Sequence, residues 1–276
     1  MRLLCSLLAF CALASAAPSF QKPVLPPSEL IFGGYNASQG LFPFYVYLSM
    51  YSDRSEGNLC GGSLLTQKHI LTAAHCIIGK VDNRSYAVMG LDKLENYETT
   101  PGVQKRQIVS AYAHKDYNLK YLLRDDIAIL EVNEPFDITP YVQLINIKRD
   151  DAELLKKYWT TVIGFGVWKF HVSPVEFAKT LQYGYIPIIG RDQCYKTWRS
   201  IWDKQICAGS KETGGDSGGP MVVSDDKKSV QIGIVSYGPG DLHMIQNQDK
   251  YPALYTRAAS YCDWITEHTN NEFHCT

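Results

Sequence analysis

Twelve short runs of β-branched and aromatic residues, each closed off by turn formers, constrain this chain more than any other feature. The first six are Phe44–Met50, Gly62–Leu65, Ile70–Ala73, Tyr86–Met89, Gln107–Tyr112 and Ile127–Val132. The second six are Thr161–Phe165, Thr180–Ile189, Gln205–Ala208, Pro220–Val223, Val230–Tyr237 and Ala253–Thr256. Runs of this length between turn signals specify an all-β sandwich or barrel, because stiff, flat side chains suit a pleated, half-buried surface. A polar interval, Lys148–Lys157, divides the two sets and is the candidate linker. One helix is expected, starting near Tyr261, where Trp264, Ile265 and His268 share a face.

The balance of Lys+Arg 27 against Asp+Glu 28 gives a formal net charge of -1. No basic excess calls for a nucleic-acid backbone and no acidic excess for a solvating tail. The one long apolar stretch, Leu3 to Ala17, follows Arg2 and ends in Ala14-Ser15-Ala16. It is shorter than the roughly 20 residues of a membrane-spanning helix, and its basic start, apolar middle and small-residue end are those of a cleaved secretory signal. Residues 1–16 are therefore assigned to a signal peptide, cut after Ala16, and the protein to the secreted, extracellular class. Of 8 cysteines, Cys5 and Cys11 leave with that signal, and the even remainder is expected to form three disulfides in an oxidising compartment. Residues 17–30, with Pro18, Pro23, Pro26 and Pro27 and no hydrophobic period, are expected to be an exposed, cleavable propeptide.

Chemistry concentrates at Gly215-Asp216-Ser217-Gly218-Gly219-Pro220. Glycines around a serine let the backbone turn sharply and let a substrate carbonyl approach main-chain N–H groups. Two other segments carry the remaining groups of a nucleophilic site: Thr72-Ala73-Ala74-His75-Cys76, and Asp126-Ile127-Ala128-Ile129-Leu130 at the mouth of a strand.

These segments, in the order His75, Asp126, Ser217, resemble the trypsin and chymotrypsin-like serine protease family over Ile31 to about Ile265. Ile31-Phe32-Gly33-Gly34, Gly164-Phe165-Gly166, Ser236-Tyr237-Gly238 and Tyr255-Thr256-Arg257 add to the resemblance, the second and third with an aromatic other than the family's usual tryptophan. The resemblance implies two packed six-stranded antiparallel β-barrels with a C-terminal helix, here residues 31–147 and 148–276 of one peptidase domain. It implies Ser217 as nucleophile, His75 as general base and Asp126 as the acid that holds the imidazole tautomer. The neighbouring Asp125 is taken as a solvated turn residue. The backbone N–H groups of Gly215 and Ser217 would form the oxyanion hole, and Ser236, Tyr237 and Gly238 would pair with the substrate backbone. Activation would follow cleavage between Leu30 and Ile31, the new ammonium inserting beside Asp216. Leu30 stands where arginine or lysine is usual, so trypsin is a poor candidate for the activator. The family's bridges correspond to Cys60–Cys76 and Cys194–Cys207, which leaves Cys262 to Cys275. One continuous helix would hold that last pair about 20 Å apart, so the helix is expected to break near Asn270-Asn271.

Specificity is less determined. Lys211 lies where trypsin-like members carry the aspartate that grips arginine or lysine, and Ala253 replaces a usual glycine in the same pocket. Medium apolar side chains such as leucine are expected to be cleaved after, with acidic residues second if Lys211 points inward instead of pairing with Glu212. Asn36-Ala37-Ser38 and Asn83-Arg84-Ser85 are candidate glycosylation acceptors. Leu91 follows Gly90 where a calcium-ligating glutamate would stand, His69, His114, His171, His243, His268 and His274 show no ligand spacing, and neither metal nor cofactor is implied. The expected partners are polypeptide substrates and proteinaceous inhibitors of a monomer, with no nucleic acid and no membrane. The other function class is a catalytically silent relative acting as a binding module.

Overall fold

Two of the apolar runs in the first set are buried on both faces, which only a closed or covered sheet allows. Ile70, Leu71, Ile129 and Leu130 have no exposed surface, and each such side chain contributes about 1.5–3 kcal/mol of hydrophobic stabilisation. In the computed structural model, which describes residues 34–52, 55–77, 81–118, 124–169, 176–210 and 217–276, these residues fill a barrel. After a two-residue strand β1 (Tyr35–Asn36) come β2 (Tyr45–Ser52), β3 (Ser55–Leu64), β4 (His69–Thr72), β5 (Tyr86–Met89), β6 (Gln104–Ala113) and β7 (Ala128–Val132). The barrel closes in the order β2-β3-β4-β7-β6-β5, antiparallel throughout. Strand β3 starts before the Gly62 expected from the sequence, because pairing of Ser49 with Leu59 and Met50 with Asn58 recruits polar residues that lack the strand pattern.

The second set gives β8 (Trp159–Gly164), a hairpin of β9 (Val167–Lys169) and β10 (Glu176–Phe177), then β11 (Gln182–Pro187), β12 (Gln205–Ala208), β13 (Pro220–Asp225), β14 (Lys228–Tyr237) and β15 (Ala253–Arg257). The sheet order is β1-β11-β8-β13-β14-β15-β12. A bridge between Ile188 and Ala208, with Ile189 N–H donating to the Cys207 carbonyl at 2.8 Å, joins the β11 and β12 ends and rounds six of these strands into a second barrel. Strand β1 crosses over from before the first barrel to pair with β11, where Tyr35 meets Tyr183 at 5.5 Å between ring centroids. Alternation along β11 is regular: Gln182, Gly184 and Ile186 point inward, Tyr183 and Tyr185 outward.

Three α-helices lie among the described residues: α1 (Arg191–Trp198), α2 (Leu242–Gln246) and α3 (Cys262–His268). The last follows the expected Tyr261 and packs on the first barrel, with Tyr261, Cys262 and Ile265 buried in that core and the Trp264 and His114 rings 5.4 Å apart. Asn270 and Asn271 take left-handed φ of 52° and 60°, which stops the helix and brings Cys275 back to Cys262 at a Cα separation of 5.8 Å. The linker is tied down by charge: Lys148 and Lys157 donate to Asp225 at 2.5 and 2.8 Å, and those two hydrogen bonds hold its carboxyl near a pKa of about 2. No helix among the described residues is long and apolar enough to cross a membrane.

Candidate active site

His75 sits in a 3-10 turn, Ala74–Ile77, at the end of β4. The Cys60–Cys76 disulfide pins that turn to β3. Asp126 arrives on the neighbouring strand, one residue before Ile127 leads into β7, which pairs antiparallel with β4, and is fully buried. A buried carboxylate is costly unless its lone pairs are filled, and here they are. Oδ1 accepts from the His75 backbone N–H at 2.9 Å, while Oδ2 accepts from His75 Nδ1 at 2.8 Å and from Ser236 Oγ at 2.6 Å. Thr256 Oγ1 donates to the Asp126 carbonyl at 2.8 Å. Because an ionised carboxylate only accepts, Nδ1 must carry the imidazole proton, which leaves Nε2 with a free lone pair.

Ser217 is exposed, and its backbone is clamped between the barrels. Its carbonyl accepts from Gly61 N–H at 2.8 Å, Gly218 N–H donates to the Val235 carbonyl at 2.9 Å, and Val235 N–H donates to Gly219 at 2.9 Å. Gly218 has φ of 78°, and a Cβ there would lie 2.7 Å from the Gly61 carbonyl oxygen and 3.1 Å from Cys76 Sγ. The serine loop therefore lies against the cysteine next to His75, and only glycine fits at that approach. The three sequence segments converge on one place.

A family model described as Trypsin matches residues 31–265. Chymotrypsin-C of Mus musculus is 33% identical over 268 residues, covering 93% of this chain and 96% of its own length. Chymotrypsin-C of Rattus norvegicus is 32% identical over 269 residues, with coverage of 93% and 96%, and that of Bos taurus 30% over 268 residues, with 94% and 95%. The chain belongs to the trypsin family. It is a serine endopeptidase, a hydrolase acting on polypeptides.

Within this trypsin-family site the structure corrects one expectation and adds three roles. Asp125 is not solvated: it is 5% exposed, with a left-handed φ of 52°, and its carboxylate accepts from Tyr261 Oη at 3.0 Å. The turn was legible from the sequence, but its burial was not, since the covering tyrosine comes from the far end of the chain. Ser236, expected only to meet substrate backbone, also donates to Asp126, because a register shift between Val235 and Tyr237 in the β14–β15 pairing turns it inward. Thr256, from the Tyr255-Thr256-Arg257 segment, adds a tie from a third strand, β15, to the Asp126 backbone. Thr72 Oγ1 donates to the Gly61 carbonyl at 2.8 Å and braces the strand that holds Ser217.

Tyr237 is 38% exposed, and its ring lies 5.0 Å from Trp198 of α1. The β13 ladder begins with Pro220 opposite Ile234, so among the described residues the chain past Val235 has no strand partner on that side. Ala253 is buried, its Cβ 4.0 Å from where a Cβ on Gly238 would stand, so these two face each other closely. The 239–252 segment beside them contains α2, N-capped by Asp241, which accepts from Met244 N–H at 3.2 Å. Helix α1 buttresses that segment through Trp198 Nε1 to the Pro252 carbonyl at 2.8 Å. Neither helix was expected from the sequence.

Cys194 joins Cys207, which anchors α1 to β12. Asn36 and Asn83 are both exposed, with Asn36 accepting a short hydrogen bond from Gln182. Cys60, Cys76 and His75 lie within metal-ligand reach of one another, but both sulfurs are consumed by their disulfide and offer no thiolate. Leu30, Ile31, Lys211, Gly215 and Asp216 lie outside the described residues.

Proposed function

We propose that this endopeptidase works through Ser217, His75 and Asp126 by an acyl-enzyme route. Ser217 Oγ attacks the scissile carbonyl, His75 Nε2 takes its proton and returns it to the leaving amine, and Asp126 keeps Nδ1 protonated and stabilises the imidazolium. The N–H groups of Gly215 and Ser217 receive the oxyanion, each worth about 3 kcal/mol in the transition state. The observation that carries this reading is the saturated carboxylate of Asp126, which leaves one imidazole nitrogen available beside the serine loop. Substrate backbone adds as a strand along Ser236–Gly238. A silent homologue has no use for that tautomer lock. Stoichiometric labelling of Ser217 by an organophosphorus reagent, absent in Ser217→Ala and in His75→Ala, tests the assignment; labelling that survives either substitution defeats it.

The same reading makes the protein a secreted, extracellular monomer made as a zymogen, with residues 1–16 removed as signal, 17–30 as propeptide, and barrels over 31–147 and 148–276. Cleavage after Leu30 frees the Ile31 ammonium to pair with Asp216. An activator that accepts leucine, this enzyme included, fits that bond. N-terminal sequencing of the active form is expected to start at Ile31. The Ala253 methyl opposite Gly238 narrows the pocket, which supports cleavage after medium apolar residues. Lys211 disfavours arginine and lysine there by like-charge repulsion. A peptide library dominated by arginine or lysine would overturn that preference. Proteinaceous inhibitors that present such a residue on an extended strand would bind, and Asn36 and Asn83 are acceptors for N-glycans.

A further inference from the structure

Asp125 is a second buried carboxylate, adjacent in sequence to the first. An asparagine would accept the same hydrogen bond and tolerate the same left-handed backbone. Carrying a charge there costs desolvation and places it next to Asp126. Its surroundings are built for that charge. From the 3-10 turn Ala258–Tyr261, Tyr261 Oη donates to Oδ1 at 3.0 Å. From the turn before β12, Lys204 Nζ approaches Oδ1 to 3.6 Å and lies 4.7 Å from the Tyr261 ring centroid. From the turn after β6, His114 Nδ1 stands 4.0 Å from the same oxygen, with Asp116 Oδ2 4.0 Å from that nitrogen on its other side. Arg124 precedes it and stacks on Trp202 at 4.8 Å. Burial, and then the charge of Asp125, push the Tyr261 hydroxyl up in pKa, which keeps it a donor. Burial lowers His114, which keeps it neutral, so Lys204 is the cation that closes on the carboxylate.

What this cluster grips is a bend. Ile127 N–H donates to the Asp125 carbonyl at 2.9 Å, a three-residue turn centred on Asp126. From these contacts we infer that Asp125 is a positioning residue of the peptidase reaction: Tyr261 and Lys204 hold its carboxylate, the held residue fixes the bend that aims Asp126 at His75, and its charge stands behind the imidazolium that forms. The inference rests on the reading of His75 and Asp126 as catalytic.

Kinetics separates charge from clamp. Asp125→Asn keeps the bend and the Tyr261 bond and removes only the charge. Its acidic limb of kcat/KM is expected to move to lower pH by about half a unit, the scale of one partly screened charge, with KM unchanged. Tyr261→Phe keeps the charge and frees the carboxylate. Its kcat per titrated active site is expected to fall about tenfold with the limb in place, the scale of one hydrogen bond to a charged group. A limb that does not move in Asp125→Asn, or an unchanged kcat in Tyr261→Phe, overturns the inference. Asp126→Asn is the separate control: full activity there removes the catalytic reading itself, whatever the Asp125 variant does.

Discussion

Replacing Gly218 by alanine tests how the serine loop is held. The new methyl would be forced onto a backbone with φ of 78°, into contact with Thr72 Oγ1, 2.7 Å from the Gly61 carbonyl and 3.1 Å from Cys76 Sγ. The left-handed conformation costs an alanine about 1–2 kcal/mol. Overpacking against groups fixed by a disulfide and a strand adds about 1–3 kcal/mol. Separation of the Thr72 hydroxyl from the Gly61 carbonyl loses a buried hydrogen bond, about 1 kcal/mol. The expected total is about 3–6 kcal/mol, which for a domain of this size lowers the melting temperature by about 6–24 °C. Gly240→Ala is the matched control, since its Cβ would meet nothing within 4 Å; it should change stability by no more than about 0.5 kcal/mol. Thermal unfolding followed by circular dichroism reads both, and titration with the organophosphorus reagent should show the Gly218 variant losing reactive serine where the Gly240 variant keeps it. A Gly218→Ala protein that melts with wild type and titrates fully would refute the clamp.

Ser236→Ala removes one of three donors to the buried Asp126 carboxylate and should lower kcat/KM about ten- to fiftyfold in steady-state assays, with little change in KM. His69 and His114 both have pKa values lowered chiefly by burial, so the unfolded chain takes up protons first as pH falls. Their stabilisation is complete above the unfolded value of about 6.5 and is lost as pH drops through it toward the lower folded values. Urea midpoints should therefore fall between neutrality and pH 5 (roughly), and His69→Gln should flatten that slope. Replacing Cys262 and Cys275 together by alanine opens a loop of separation 13 and should cost about 3 kcal/mol in the melting transition while kcat at 25 °C (about room temperature) is retained, because the bridge ties α3 to the C-terminal tail and not to His75, Asp126 or Ser217.

All twelve sequence runs coincide with strands, and their centres were legible because alternation and turn chemistry act over a few residues. Their ends were not. Polar residues at the start of β3 and Gln104–Arg106 at the start of β6 are strand because partners pair with them. Helix α1 buries only Cys194 and has no apolar stripe to read; the disulfide to Cys207 and the Trp198 hydrogen bond hold it in place. The five residues of α2 are too few for any period to show.

The sequence by itself determined the strand content, the glycine-flanked serine and the histidine and aspartate that accompany it, because each depends on residue type within a short stretch, while the break at Asn270-Asn271 followed from the pairing of Cys262 with Cys275. Tertiary structure alone decided which donors meet which acceptors. Asp126 receives His75 from 51 residues away, Ser236 from 110 and Thr256 from 130, and Asp125 is covered by Tyr261 from 136. No local pattern encodes those distances along the chain. Closure of two barrels against each other brings the groups together, and the low dielectric they create is what makes a filled carboxylate worth keeping and an unfilled one intolerable.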